Sequence, residues 1–310
     1  MQVVASQVLA NGLRTEFADT YLTVQNRQQD SRLALLMDLG ISAWNRQHEF
    51  AYFNAAPHLA FWRRGDAIPT DAMTSVQFTV PVHNWGRRVP WHKDDRADDQ
   101  TQSLFDMARM AGQSAALLPE RMFFDCLTNS TNTLPAVPLA PDGASFFATT
   151  AGGLNRFGVS SGNLLTGNGV ASTSVILQDY YRTQAQYRLF QDGKGQPLYI
   201  QVFEQAFLQR RQGSATAATG SPTNIVQDAS RNVTLWPTAR ITDNDWFVFL
   251  ADPPKKATFL LDRQGVVEYT SLVGDNNGDR TRDTGEEYVQ WERRAGAGIA
   301  LPYAAIKVDN

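Results

Sequence analysis

From Val3 to Leu36, apolar side chains recur at Val4, Val8, Leu9, Phe17, Tyr21 and Val24, interleaved with Gln, Asn and Arg. The spacing predicts a loose helix with too little apolar content for a core of its own, so it reads as an arm that packs on something else. Between Trp44 and Trp91 aromatic residues and Pro become dense, and Ser75 to Val82 alternates with period two. Paired with Ala60 to Gly65 across the turn-prone segment Asp66 to Asp71, that run predicts a long two-stranded hairpin. An isolated hairpin is marginal in water, so neighbours must support it.

The clearest periodicity follows. Leu104, Ala108, Ala111, Ala115, Leu118, Met122 and Cys126 are spaced by three or four, and Asp94, Asp95, Asp98 and Asp99 precede them. This is one stripe of a helix over about Asp98 to Leu127, with acidic residues at the positive end of its dipole. Such a helix is about 45 Å long at ~1.5 Å per residue. Pro119 lies inside it and should kink or divide it. Thr128 to Thr173 is loop-like, and a second helix is expected from about Ser172 to Phe190, ended by Asp192-Gly193. Strand-like runs then cover 197–203, 225–236, 246–250, 258–261, 266–273, 288–294 and 299–308. Few alternate with helices, so the fold class is α+β with segregated elements, not a doubly wound sheet.

Composition narrows the function. The 310 residues carry 28 Lys+Arg against 31 Asp+Glu, a net charge of -3, which excludes a polybasic nucleic-acid arm or an acidic tail. Charged residues make up 19%, below the roughly 25% usual for globular domains. Aromatics reach 11% with seven Trp, so more surface than usual is destined for contact with something other than water. The lone Cys126 excludes an internal disulfide, and no apolar run approaches the ~20 residues of a membrane span, so no membrane partner is expected. The N-terminus lacks the basic start and apolar stretch of a signal peptide, and the Asn129 and Asn232 acceptor motifs then read as chance.

No motif assembles a catalytic constellation. Gly158-Val159-Ser160-Ser161-Gly162 has the pattern of a nucleophile elbow, but no helix is expected after it, and all four histidines lie upstream. Asp275, Asn277, Asp279, Asp283 and Glu286 fall at calcium-loop positions, yet Arg280 occupies the place of the turn glycine and the flanks read as strands. A solvated hairpin tip is the better account, and no metal or cofactor is expected. His83, His92, Asp94 and Asp95 lack metal-ligand spacing. Ala295-Gly296-Ala297-Gly298 lacks the third glycine and the βαβ context of a dinucleotide site. Arg63, Arg64, Arg87 and Arg88 flank the hairpin, either as solvated edge charges or as docking groups for acidic residues of a neighbouring chain.

The order of arm, aromatic hairpin, acidic-capped long helix and strand-rich remainder resembles the tailed-phage major capsid protein fold, and within it the Mu-like major head subunit family. The segments that carry the resemblance are Trp91-His92-Lys93-Asp94-Asp95, Asn163-Leu164-Leu165-Thr166-Gly167, Gln191 to Leu198, and Trp246 to Leu261. The chain departs from the family pattern at Tyr199 to Arg211 and at Asp275 to Glu286. The resemblance implies an N-terminal arm over 1–45, an extended loop over 46–93, a spine helix and peripheral domain over 94–140, an axial domain over 141–255 and returning strands over 256–310. It also implies copies joined as pentamers and hexamers in an icosahedral shell around double-stranded DNA, assembled in the host bacterial cytoplasm. Partners would be further copies, a separate scaffold protein, a portal protein, a decoration protein where one caps the shell, and DNA through weak, salt-screened contacts.

Trp62, Arg63, Arg64, Phe78, Arg87, Arg88, Phe17 and Tyr21 are the expected intersubunit contacts. No Lys occurs between Ala55 and Trp91, so no loop lysine can form a covalent cross-link, and Lys93 lies too far back. Hinges for expansion are expected at Pro119 and at the hairpin base. The competing readings are another virion part, such as a tail tube or decoration protein, and a calcium-dependent binding module.

Overall fold

The computed structural model describes residues 2–29, 32–43, 45–53, 63, 67, 75–92, 94, 102–128, 139–168, 173–198, 205–210, 233–241, 243–250, 256–271 and 285–310. The arm is α1 (Gln2–Gln29), followed by the short α2 (Arg32–Leu36) and strand β1 (Met37–Ser42). The hairpin is made by β2 (Gln47–Phe53) and β3 (Ser75–Pro81), which pair antiparallel from Gln47↔Pro81 to Phe53↔Ser75. Among the described residues the strand opposite Ser75 to Pro81 is Gln47 to Phe53; of the expected partner Ala60 to Gly65, all but Arg63 lie outside the described residues. Phe50 lies opposite Phe78 with their rings stacked at 5.4 Å, a cross-strand aromatic pair that fixes this register. Residues 54–62 and 68–74 lie outside the described set.

β4 (His83–His92) continues from β3 and leads to the long-helix region. That region is divided as Pro119 predicts, into α3 (Ser103–Ala116) and α4 (Leu118–Thr128). Proline stands at the second position of α4, where its missing N–H is least costly. The start differs from expectation: Gln102 is left-handed at φ 58°, which interrupts any helix begun at Asp98, and its carbonyl accepts from the Phe105 and Asp106 amides. Among the described residues the loop region holds the two-residue strands β5 (Thr150–Ala151) and β6 (Leu154–Asn155), a 3-10 turn at Arg156–Gly158 and the short β7 (Leu164–Thr166). The second expected helix is α5 (Thr173–Leu189).

Two sheets complete the chain. One has the order β1-β11-β12-β4, where β11 is Thr258–Ser271 and β12 is Glu286–Ile299. The other runs β7-β13-β10-β8-β9, with β8 (Gln205–Arg210), β9 (Val233–Thr238), β10 (Trp246–Leu250) and β13 (Ala305–Asp309). The sequence pattern split β11 at Asp262 to Gly265, because the apolar run lapses there. The strand in fact continues through two register irregularities between Asp262 and Val267. Likewise β12 runs unbroken through Ala295 to Gly298, because Gly296 lets the Pro81–Val82 backbone lie directly on it, where any Cβ would collide. The first sheet thus supports the base of the hairpin, with Val80, Phe259 and Leu261 buried together.

Strand β10 joins the two halves. Phe247 and Phe249 point into a core with Met122, Phe123, Leu260 and Ile299, whereas Trp246 and Val248 point into a second core with Tyr180, Tyr187, Phe190 and Ile306. Its continuous apolar run is therefore that of a strand covered on both faces. At ~1.5–3 kcal/mol for each fully buried large apolar side chain, these four residues anchor both layers.

Candidate functional site

For a chain with no catalytic constellation, the candidate functional surface lies where the arm, the α3–α4 pair and the edge of the first sheet meet. Phe17 of α1 is buried against Leu104, Ala108, Val289 and Trp291, its ring stacked on Trp291 at 5.1 Å and on Tyr21 at 6.1 Å. Gly112 permits this approach, since a Cβ there would sit 2.7 Å from the Phe17 carbonyl oxygen. Arg109 bridges Glu16 of α1 at 2.9 Å and Asp106 at 3.0 Å, which holds the Glu16 carboxyl below its ordinary value. Phe17 and half-buried Tyr21, expected on a neighbour, thus pack within their own chain. The reason is physical: the small residues Ala108 and Gly112 on α3 make a groove that a bulky aromatic fills. Burial pushes the Tyr21 phenol above its ordinary range.

The basic residues lie on the outer edge. Arg87 and Arg88 are exposed on β4, the edge strand of its sheet. Arg88 donates from Nε to Gln290 Oε1 at 2.8 Å, and its guanidinium lies 4.2 Å from the Tyr288 ring centre. Phe78 is half-buried beside Phe50 at the hairpin base, and Arg63 is exposed. Trp62 and Arg64 fall outside the described residues, as do Asp275, Asn277, Asp279 and Asp283. Glu286 opens β12, and the flanks of that loop are paired strands, Ser271 opposite Tyr288. Among the described residues no group of three His, Cys, Asp or Glu could hold a metal ion, and no helix is long and apolar enough to cross a membrane.

Four buried polar groups, Arg156, Asn163, Asp179 and Asp245, were not singled out as site residues from the sequence and do structural work. Arg156, 2% exposed, makes two hydrogen bonds to Asp142, at 2.8 and 3.1 Å, and also donates to the Ser145 and Phe146 carbonyls and to Asn163 Oδ1. Asn163 in turn donates from Nδ2 to the carbonyls of Phe146, Pro302 and Ala305. This network ties the loop before α5 to the turn before β13, and it gives the Gly158 to Gly162 motif its place: a turn around a buried arginine, entered from a 3-10 turn at Arg156–Gly158 and followed by strand β7, not by a helix. Asp179 is satisfied by Asn168 at 2.8 Å and Arg182 at 2.9 Å. Asp245 meets Lys307 at 2.6 Å; burial pushes the Asp245 carboxyl up, and the ammonium offsets only part of that. Only Asn163 carried a sequence signal, as part of a family segment; the partners of Arg156 and Asp245 lie in separate loops and strands.

The arm, hairpin, divided long helix and paired sheets define the major capsid fold of tailed phages. The capsid of the cyanophage P-SCSP1u superposes with a TM-score of 0.58 at 9% identity, covering 88% of this chain and 86% of that one. The mature capsid of bacteriophage PhiM1 gives 0.57 at 10% identity over 90% and 86%. A virus-like particle from Pyrococcus furiosus gives 0.53 at 11% identity over 94% and 96%. No curated protein matches by sequence. Residues 7–183 match the family model of the Mu-like prophage major head subunit gpT, and the chain belongs to that family. It is a major capsid protein of the phage head, a structural component of the virion shell that assembles with copies of itself, and not an enzyme.

Proposed function

We propose that copies of this chain join as pentamers and hexamers into a closed icosahedral head around double-stranded DNA, built in the host bacterial cytoplasm on a separate scaffold, with a portal at one vertex. The observation that carries this reading is the coincidence of the family match over arm, hairpin and long helices with a fold shared across several capsids. We assign the β1-β11-β12-β4 sheet with α3 and α4 to the peripheral domain, and the β7-β13-β10-β8-β9 sheet with α5 to the axial domain. The exposed residues Arg63, Arg87 and Arg88 fit a role in contacts between copies. DNA contact is weak and screened by salt, as near-neutral charge requires. The sequence offers no Lys between Ala55 and Trp91, and Lys93 lies at the loop base, so shell contacts are non-covalent, and a covalent ladder of subunits on a denaturing gel would contradict that. A decoration protein is an optional addition on the outer face.

Electron microscopy of the protein produced with and without its companion head proteins tests the reading. Closed isometric shells, or rings of five and six, support it; tubes, or free trimers, would instead favour another virion role. The α3–α4 break at Pro119 is the hinge we assign to shell expansion. Pro119→Ala should slow or block expansion, and normal expansion would remove that role.

A further inference from the structure

A cleft of about 770 Å³ opens between α3, the start of α4 and the β4–β12 edge, and it is short of hydrogen-bond acceptors. Arg87, Arg121, Arg240 and Arg293 line it against a single carboxylate, Glu292, which the Gln290 amide already engages. Each guanidinium carries five N–H donors. Arg293 donates from Nη2 to Asp262 at 2.7 Å, while its Nε and Nη1 are buried without an acceptor, as is Trp291 Nε1. Arg121 and Arg240 stand 3.7 and 3.5 Å from Asp125 and Glu120, ion pairs too long to be strong hydrogen bonds. Arg87 has no carboxylate within ion-pair reach among the described residues. The neighbouring acids Asp262, Asp125, Glu120 and Glu292 offset much of the charge but leave most of the donors open. The walls between are apolar, and Met110 at the rim is 69% exposed.

Such a lining fits a narrow group that brings acceptors with it. We propose that the cleft receives carboxylates of a second copy of this chain, from the run Asp94, Asp95, Asp98 and Asp99. Four aspartates in six residues, with one arginine among them, make this the densest stretch of acceptor-only side chains in the sequence. Asp94 is exposed, and its carboxylate partner among the described residues is its neighbour His92, at 3.2 Å. The run of the same chain is poorly placed. Asp94 follows the far end of β4, and Arg87 to His92 spans about 17 Å at ~3.4 Å per residue. The described chain resumes at Gln102, ahead of the start of α3, whereas the cleft lies along the later turns of that helix. A nucleic-acid duplex is too broad to follow into a cleft between a helix and a strand edge, but a carboxylate at the tip of a side chain can enter. Bidentate pairing between guanidinium and carboxylate then supplies both affinity and register.

This inference rests on the shell reading. Its test compares wild-type protein with Arg87→Glu, with Asp98→Lys/Asp99→Lys, and with all three changes combined, each produced with the companion head proteins. Each reversal should cut the yield of closed shells at least tenfold while subunit circular dichroism and melting stay at wild-type values, and the combination should restore shells. Because Cys126 is the sole native cysteine and is buried, a disulfide readout is clean. Ser114→Cys subunits mixed with Asp98→Cys subunits should give linked dimers on a non-reducing gel, absent from either variant alone. Wild-type shell yields from both reversals, with no linked dimer, overturn the docking alone. Normal shells from Arg87→Glu that fail only to retain DNA also overturn it, in favour of a nucleic-acid contact. Wild-type chains that never associate overturn the shell reading and the docking with it.

Discussion

The two halves of the molecule are held together in different ways. Around β10, apolar side chains are covered on both faces, and the buried polar groups Arg156, Asn163 and Asp179 each meet several partners. Along the arm and the β4–β12 edge, aromatic contacts and the exposed Arg109–Glu16 ion pair hold α1 to α3, and among the described residues buried donors of Trp291 and Arg293 meet no acceptor. The first region is complete within one chain. The second has the composition of a surface finished by association, which is what a shell subunit requires of at least part of its fold.

The comparison can be broken most sharply at Arg156. Arg156→Met strands Asp142, Asn163 Oδ1 and two backbone carbonyls, and we expect a loss of about 3 to 5 kcal/mol, read as a lowered denaturation midpoint of the free subunit. A loss under 1 kcal/mol would mean the network is incidental. Next is Gly112→Val, whose side chain would strike the Phe17 backbone. It should cost about 1 to 3 kcal/mol and raise hydrogen exchange in α1 while leaving α5 protected. Arg88→Ala removes one hydrogen bond and a cation–ring contact at an exposed edge, so the isolated subunit should lose less than about 1 kcal/mol. A larger effect on folding would show that the β4 edge belongs to the self-sufficient region.

The smallest expected effect concerns pH. Burial holds the His83 imidazole below its ordinary 6.5, so the fold favours the neutral ring. The stability linked to it is fully present above that value and is lost as the pH falls through the lower folded value. Melting temperature measured across that range should decline slightly in acid, and His83→Asn should flatten that part of the decline.

Much of the framework was legible locally. The run Trp246 to Leu250 marked β10 without error, the spacing from Leu104 to Cys126 marked the α3–α4 stripe, and Pro119 marked its division. What escaped depended on distant partners. Gln47 to Phe53 mixes polar and apolar residues, and only the pairing of Phe50 with Phe78 reveals it as a strand. The left-handed Gln102 carries no sequence signature. Nor could the burial of Phe17 be foreseen, since the groove that receives it is formed by Gly112, ninety-odd residues later. The Arg156 network closes through Pro302 and Ala305, contacts that span nearly half the chain.

The most direct test of the contrast is hydrogen exchange measured on free subunits and on assembled shells of the same protein. The account predicts that α1, the hairpin strands and the β4–β12 edge gain protection on assembly, while α5, β10 and β13 are equally protected in both states. Equal gains in both regions, or protection confined to the α5–β10–β13 core, would contradict it.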